Sequence, residues 1–239
     1  MERVIVQNIS KKFNIGFKKN QSALARFVAL FSGREPKKTI WALRDVSFKA
    51  KVGELIGIIG ENGSGKSTLL RIIAGIYNED KGTITTNGKI ISLINLNAGM
   101  KPRLTMKDNI YLCCSLFSLP RAEIKTKFNS IVEFAGLGKF VDTKIYQFSD
   151  GMRHRLTFSI AIHCNPEILL LDEVFEIGDE NFKNKSANKI NELVQEGAAV
   201  ILVSHEMAMI QKYCDRVIWI DKGRIVKGGN GKVIENYLK

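Results

Sequence analysis

The stretch Glu54 to Ala74, reading Glu-Leu-Ile-Gly-Ile-Ile-Gly-Glu-Asn-Gly-Ser-Gly-Lys-Ser-Thr-Leu-Leu-Arg-Ile-Ile-Ala, constrains the fold more than any other in the chain. Its isoleucine-rich apolar run, Leu55 to Ile59, predicts a buried strand, and Ser67 to Ala74 has helical spacing with Leu70, Ile73 and Ala74 on one side. Between them Gly60, Gly65, Lys66 and Ser67 satisfy the P-loop pattern G-x-x-x-x-G-K-[ST]. Glycines at Gly60, Gly63 and Gly65 let backbone N–H groups turn inward onto phosphate oxygens. The candidate cradle therefore comprises Gly60, Glu61, Asn62, Gly63, Ser64, Gly65, Lys66, Ser67 and Thr68. Lys66 is placed to reach β and γ phosphates, Ser67 to hold Mg²⁺, and the helix N-terminus adds a favourable dipole.

A chain of 239 residues, 45% hydrophobic and 25% charged, buries a substantial core and suits one α/β domain over 1–239. No run of about 18 apolar residues occurs, and Met1-Glu2-Arg3 leads straight into a strand-like segment. The expectation is a chain neither exported nor membrane-spanning by itself. Cys113, Cys114, Cys164 and Cys214 have no C-x-x-C spacing and sit in apolar surroundings, which suits reduced thiols packed as small hydrophobes rather than a zinc or redox site.

The formal charge of +12 is concentrated: Lys11 to Lys38 holds eight basic side chains and one acid. Within it Leu24, Phe27, Val28 and Phe31 recur at i, i+3, i+4 and i+7 after a possible Ser22 cap, predicting a short amphipathic helix in a basic insertion over about 11–38. Two readings stand: the helix docks on its own domain, or its apolar face enters a membrane interface while the cations meet anionic lipid.

Elsewhere, Arg3 to Gln7 reads as a first strand, and Thr39 to Ala50 as a strand, a turn at Arg44-Asp45 and a second strand. Asn87-Gly88 between two β-rich runs in Gly82 to Leu93 predicts a hairpin, and with it an antiparallel sheet beside the nucleotide core. The helical patterns from Thr105 to Cys164, broken by Pro120, Gly136 and Gly138, predict a helical insertion within about 100–164. Strand signals at Glu167 to Leu171, Ala199 to Val203 and Arg216 to Asp221 alternate with helical stretches at Asn181 to Gln195 and Met207 to Lys212, as in a parallel sheet.

Two more pieces of chemistry follow the P-loop. Ile168-Leu-Leu-Leu-Asp-Glu173 is an apolar strand ending in two carboxylates, where Asp172 can hold the Mg²⁺ shell and Glu173 can orient or deprotonate an attacking water. His205, just past the strand ending at Val203, lies at the same end of a parallel sheet and can donate to a γ-phosphate. Phe148-Ser-Asp-Gly-Met152 opens a helix, so Ser149 and the N–H groups near Gly151 can meet an anion, or Ser149 and Asp150 are ordinary caps.

These motifs in this order resemble the nucleotide-binding subunit of ATP-binding cassette (ABC) transporters, over Arg3 to about Gly229: Walker A at Gly60 to Ser67, a signature at Ser149 to Met152, Walker B at Ile168 to Asp172 followed by Glu173, and a switch histidine at His205. The resemblance implies a P-loop NTPase, RecA-like α/β core with an antiparallel β subdomain and an inserted α-helical subdomain. It implies an ATPase using ATP and Mg²⁺, a head-to-tail homodimer in which Ser149 and Gly151 close over the partner's ATP, and Trp41 stacking on adenine. It further implies a separate integral membrane permease, a peripheral position on the cytoplasmic face of the plasma membrane, and no nucleic acid.

Within that group the chain is most similar to ATPases of polysaccharide exporters, for O-antigen, teichoic acid or capsule. Trp41-Ala-Leu-Arg-Asp-Val-Ser47, Leu96-Asn-Ala-Gly-Met100, Ser149 to Ser159, Leu171-Asp-Glu-Val174 and Gly178-Asp-Glu180 carry this likeness. Departures are the absence of a glutamine in Ile94 to Gly99, Asn97 in place of a glycine, Asp150 in the signature, and Glu176-Ile-Gly-Asp179 for the usual Ser-Ala-Leu-Asp. The further C-terminal sugar-binding domain of some relatives is not expected in this sequence, which ends at Lys239. Two rival readings remain: an ABC ATPase for import or for lipid or drug export, and a soluble ABC-type ATPase acting on nucleic acid or the ribosome through the basic 11–38 arm.

Overall fold

A computed structural model describes residues 1–15, 38–94, 99–173, 179–230 and 232–238. The predicted helix at Ser22 to Phe31 lies outside them.

Strands β1 (Glu2–Ile15), β2 (Lys38–Lys51) and β4 (Lys81–Thr86) form an antiparallel sheet in the order β2-β1-β4. β1 runs eight residues past the expected Gln7 because register shifts after Val6, Ile9 and Lys11 interrupt the alternation without ending the ladder. The turn expected at Arg44-Asp45 is instead a kink inside one continuous strand. Asp45 takes φ 56° and its N–H donates to Ser10 Oγ at 3.0 Å, so pairing resumes beyond it.

The second sheet has six strands in the order β5-β6-β7-β3-β8-β9: β3 (Leu55–Ile59), β5 (Ile90–Leu93), β6 (Ile168–Asp172), β7 (Ala199–Val203), β8 (Arg216–Asp221) and β9 (Arg224–Gly229). Five are parallel and β9 pairs antiparallel at the edge. Asn87-Gly88 does not close a hairpin. The link hands the chain from one sheet to the other: Asn87 N–H donates to the Arg3 carbonyl at 2.8 Å, and Lys89 N–H to Glu167 Oε2 at 2.8 Å. Ile91 and Leu93, both buried, place β5 beside β6 in the central sheet, so burial overrides the local turn signal.

Alternate residues of the central strands enter two different cores. Ile56, Ile58, Ile168, Leu170, Ile201 and Val203 pack with the antiparallel sheet and with helix α1 (Lys66–Ile73). Leu55, Leu169, Leu171, Val200 and Leu202 pack with the helical segment and with α5 (Glu180–Gln195). That two-sided burial explains why these strands read as continuous apolar runs.

The helical segment contains α2 (Met106–Leu116), α3 (Arg121–Ala135), two 3₁₀ turns at Gly138–Phe140 and Ile145–Gln147, and α4 (Asp150–His163). Thr105 and Asp108 form a reciprocal cap on α2. Pro120 precedes α3, and Gly136, at φ 69°, ends it. Asn109, fully buried, ties the entry loop to α2: its amide donates to the carbonyls of Lys101, Leu104 and Thr105 at 3.1, 3.3 and 2.8 Å and accepts from Lys101 N–H at 2.7 Å. Asn109→Ala leaves that N–H without its partner in an enclosed site, and should cost about 2 kcal/mol. An unchanged urea midpoint in the purified variant would refute this. Two short helices complete the described chain, α6 (Met207–Tyr213) and α7 (Lys232–Tyr237).

Candidate nucleotide site

Three parallel neighbours bring the predicted residues together. Val203 of β7 pairs with Ile58 of β3 on one side and with Asp172 of β6 on the other, so these residues form one row. Just beyond the row the strands release Gly60 and the P-loop, Glu173, and Ser204-His205. Glu173 N–H donates to the Val203 carbonyl at 2.9 Å, which fastens the Walker B end to the histidine strand. His205 Nε2 lies 3.1 Å from Glu173 Oε1. Glu173 holds φ 57°, a left-handed conformation uncommon for a branch-free acid and characteristic of positions where geometry is imposed by surroundings.

The P-loop itself is compact. Lys66 is 5% exposed, and its ammonium donates to the carbonyls of Gly60 and Glu61 at 2.7 and 2.9 Å. Burial draws its pKa below the ordinary lysine value, while Glu173 and Asp172 oppose that shift. Burial likewise pushes Asp172 above the usual carboxylate range; a hydrogen bond from Ser67 works against it, and the neighbouring charge of Glu173 reinforces it. Ser67, Asp172 and Glu173 thus form one electrostatic unit with Lys66. Glu61, Asn62 and Gly63 are exposed at the loop's crest, Ser64 is buried, and Gly65, Ser67 and Thr68 are half-buried.

A magnesium nucleotide fits these residues. Among the described residues, Ser64 Oγ and Asp172 Oδ1 are buried side-chain oxygens without a hydrogen-bond partner. A divalent cation next to Ser67 and Asp172 would satisfy the acid, and a polyphosphate would give Lys66 a charged acceptor in place of neutral carbonyls.

Residues beyond the predicted set hold the loop in shape. A Cβ built on Gly60 would meet the Ile220 carbonyl at 2.1 Å, and one on Gly65 would meet the Ala42 carbonyl at 2.6 Å. Gly223, at φ 78° in the β8–β9 turn, donates its N–H to the Ser64 carbonyl at 2.9 Å and accepts from Arg44 N–H at 2.7 Å. This buttress was missed. Its only sequence signal is Asp221-Lys-Gly-Arg224, a turn pattern that says nothing of the P-loop.

Trp41 is half-buried on β2, next to the Ala42 carbonyl that packs on Gly65, so it stands beside the cradle. Lys12, its partner across the sheet, places Nζ 6.0 Å from its ring centroid. Ser149 is the N-cap of α4, accepting from Met152 N–H at 3.2 Å, with Gly151 in the first turn. Asp150 is not the cap. It is the first helical residue, largely exposed and 3.3 Å from Arg153, where its charge suits the helix N-terminus. Ser149→Ala should lower stability by about 1 kcal/mol through loss of the cap; a thermal midpoint equal to wild type would contradict the assignment.

Asp179 caps α5 through Phe182 N–H at 2.8 Å and pairs with Arg155 of α4 at 2.9 Å. Nothing within the described single chain brings Ser149 or Gly151 into the row of Asp172 and Val203. Residues 95–98 and 174–178, which include Asn97 and Glu176, lie outside the described set.

The family described as ABC transporter matches residues 43–176. The teichoic acids export ATP-binding protein TagH of Lactococcus lactis is 39% identical over 238 residues, covering 99% of this chain and 51% of that protein, so the chain spans about half the length of that relative. The O-antigen export system ATP-binding protein RfbB of Klebsiella pneumoniae is 41% identical over 197 residues, covering 82% of this chain and 80% of its own length. Among solved structures, an ATP-binding subunit of an ABC transporter superposes with TM-score 0.79 at 22% identity, covering 99% of this chain and 93% of that one. A dimeric ATP-binding cassette in a post-hydrolysis state, bound to ADP and Pi, superposes with TM-score 0.78 at 22% identity, covering 95% and 98%. At that identity the superpositions speak for the fold.

Proposed function

Because the chain belongs to the ABC transporter ATP-binding family, we propose that it is the ATP-binding and hydrolysing subunit of an exporter of lipid-linked polysaccharide. The observation that carries the reading is the single row across β3, β7 and β6, which sets a phosphate loop, a carboxylate pair and a histidine at one end of a parallel sheet. The substrate class rests on the likeness to teichoic acid and O-antigen export proteins over most of this chain.

Each residue then has a role. Backbone N–H groups from Gly60 to Ser67 and the Lys66 ammonium hold the phosphates, and Trp41 stacks on the base. Ser67 and Asp172 would hold Mg²⁺, which would screen phosphate charge when bound. Glu173 accepts a proton from the attacking water, and His205, fixed by its contact with Glu173, donates to the terminal phosphate. Ser149 and Gly151 offer a helix N-terminus to nucleotide held by a second copy, so hydrolysis requires a head-to-tail homodimer. The dimer drives a separate multi-span membrane subunit from the cytoplasmic face of the membrane. Among the described residues no helix is long and apolar enough to cross a bilayer.

The test is co-expression with candidate permeases. The expected result is co-purification with a multi-span polysaccharide permease, with ATP turnover that depends on Lys66. Lys66→Ala, which removes the only buried cation facing the phosphate site among the described residues, should abolish binding of a fluorescent ATP analogue. Retention of binding by that variant, or salt-sensitive association with RNA instead of a permease, would overturn the reading.

A further inference from the structure

The chain contains Asn-Gly three times, at Asn62-Gly63, Asn87-Gly88 and Asn230-Gly231. Asparagine is chemically labile, most of all before glycine, because no Cβ shields the following backbone nitrogen from its side-chain amide. Gly231 lies outside the described residues. The other two pairs are both exposed, yet their surroundings differ. We propose that Asn62, at the crest of the phosphate loop, deamidates through attack by the Gly63 nitrogen, and that Asn87 is held against the same reaction.

At Asn87 both the backbone and the side chain are tied. Its N–H donates to the Arg3 carbonyl at 2.8 Å, its carbonyl accepts from Arg3 Nη1 at 3.0 Å, and its side-chain amide donates to the Glu2 carbonyl at 3.1 Å. Gly88 is walled in: a Cβ there would meet Glu167 Cβ at 2.8 Å and Arg3 Nη1 at 3.0 Å. At the crest a Cβ on Gly63 would meet nothing within 4 Å, so the peptide between Asn62 and Gly63 can rotate without collision. Among the described residues neither the Asn62 amide nor the Gly63 N–H has a hydrogen-bond partner. The turn is closed by Ser64 N–H donating to the Glu61 carbonyl at 3.1 Å, a bond that local opening of an exposed loop can break.

The chemistry needs only water. The Gly63 nitrogen adds to the Asn62 side-chain carbonyl carbon, forming a C–N bond, and the bond to Nδ2 breaks as ammonia leaves with the Gly63 amide proton. A succinimide ring remains. Water opens it at either carbonyl, giving aspartate or isoaspartate, so one water is consumed and one ammonia released without oxidation or reduction. Both products put a carboxylate at the crest, and isoaspartate also lengthens the main chain. Under the ATPase reading, on which this consequence rests, the new charge faces the polyphosphate, and a Gly63 N–H bonded to phosphate is withdrawn from attack.

The experiment incubates the full-length protein at mildly alkaline pH for days, with and without MgATP, and follows two tryptic peptides by mass. Val52 to Lys66 and Gly82 to Lys89 each contain a single asparagine, Asn62 and Asn87. Without nucleotide, the first should gain about 1 Da and split into aspartate and isoaspartate forms at least about tenfold faster than the second gains mass. Asn62→Gln should not gain it, and Gly63→Ala, whose Cβ shields the attacking nitrogen, should slow it at least about tenfold. No gain at Asn62, a gain at Asn87 as fast or faster, or a gain that Gly63→Ala leaves unslowed would overturn the proposal. Saturating MgATP should slow the gain at Asn62 at least about tenfold and leave Asn87 unchanged. Asn62→Asp should bind a fluorescent ATP analogue at least about fivefold more weakly than the parent. Unchanged affinity in that variant, or no protection in protein that binds the analogue, would overturn the link to nucleotide alone. Parent protein that does not bind the analogue would count against the ATPase reading, and the mass result would still decide the modification.

Discussion

Glu173→Gln should bind ATP as tightly as the parent protein and lose roughly 10²–10⁴-fold in turnover, the range for removing a positioned general base. The amide keeps the size of the side chain and its contact with His205 at 3.1 Å, but cannot accept a proton. The backbone is neutral to the change, since Glu and Gln suffer alike at φ 57°. Binding and turnover should therefore separate. Phosphate release and equilibrium binding of a fluorescent ATP analogue, measured on the same preparation, check this. Turnover within a factor of two of wild type would remove Glu173 from the role of base.

That separation depends on residues distant in sequence meeting in space, and the sequence foretold only part of the meeting. Leu55 to Ile59, Ile168 to Leu171 and Ala199 to Val203 were legible as strands because both their faces are buried, which leaves no polar position to blur the apolar run. The placement of Lys66, Asp172, Glu173 and His205 at one end of the sheet was legible because each lies within two residues of such a run or of a glycine turn. Asn87-Gly88 misled because a two-residue turn signal is local. The partners that decided the outcome, Arg3 and Glu167, are more than 75 residues away. The length of β1 and β2 was hidden by bulges at Asn8 and Asp45, where positive φ values disrupt period-two patterning while the ladder continues.

Contacts made without a motif were invisible altogether. Gly223 supports the P-loop through backbone atoms, and the turn pattern around it carries no sign of that contact. Asp150 shows the reverse case. Its type suits a cap, but Ser149 reaches the N–H of Met152 first, and the acid is left to pair with Arg153.

Gly60→Ala tests whether the phosphate loop is a free-standing motif or a structure pressed into shape by its neighbours. In a free glycine loop a methyl group would meet only the backbone penalty of alanine at positive φ, roughly 1–2 kcal/mol. Here the added carbon would lie 2.1 Å from the Ile220 carbonyl and 2.8 Å from Ser64 Oγ, at φ 150°, where alanine is already strained. Ile220 belongs to β8, which is paired on both sides, so its carbonyl has little room to retreat. The loop must yield instead, moving the carbonyls that hold Lys66. The expected outcome is a loss of at least about 3 kcal/mol in stability, together with loss of nucleotide binding. Gly63→Ala provides the contrast, because a Cβ there meets nothing within 4 Å and only its φ of 79° opposes the change. Gly63→Ala should therefore fold and retain most binding. If the two variants show equal urea midpoints and equal nucleotide affinity, contact with β8 does not shape the loop.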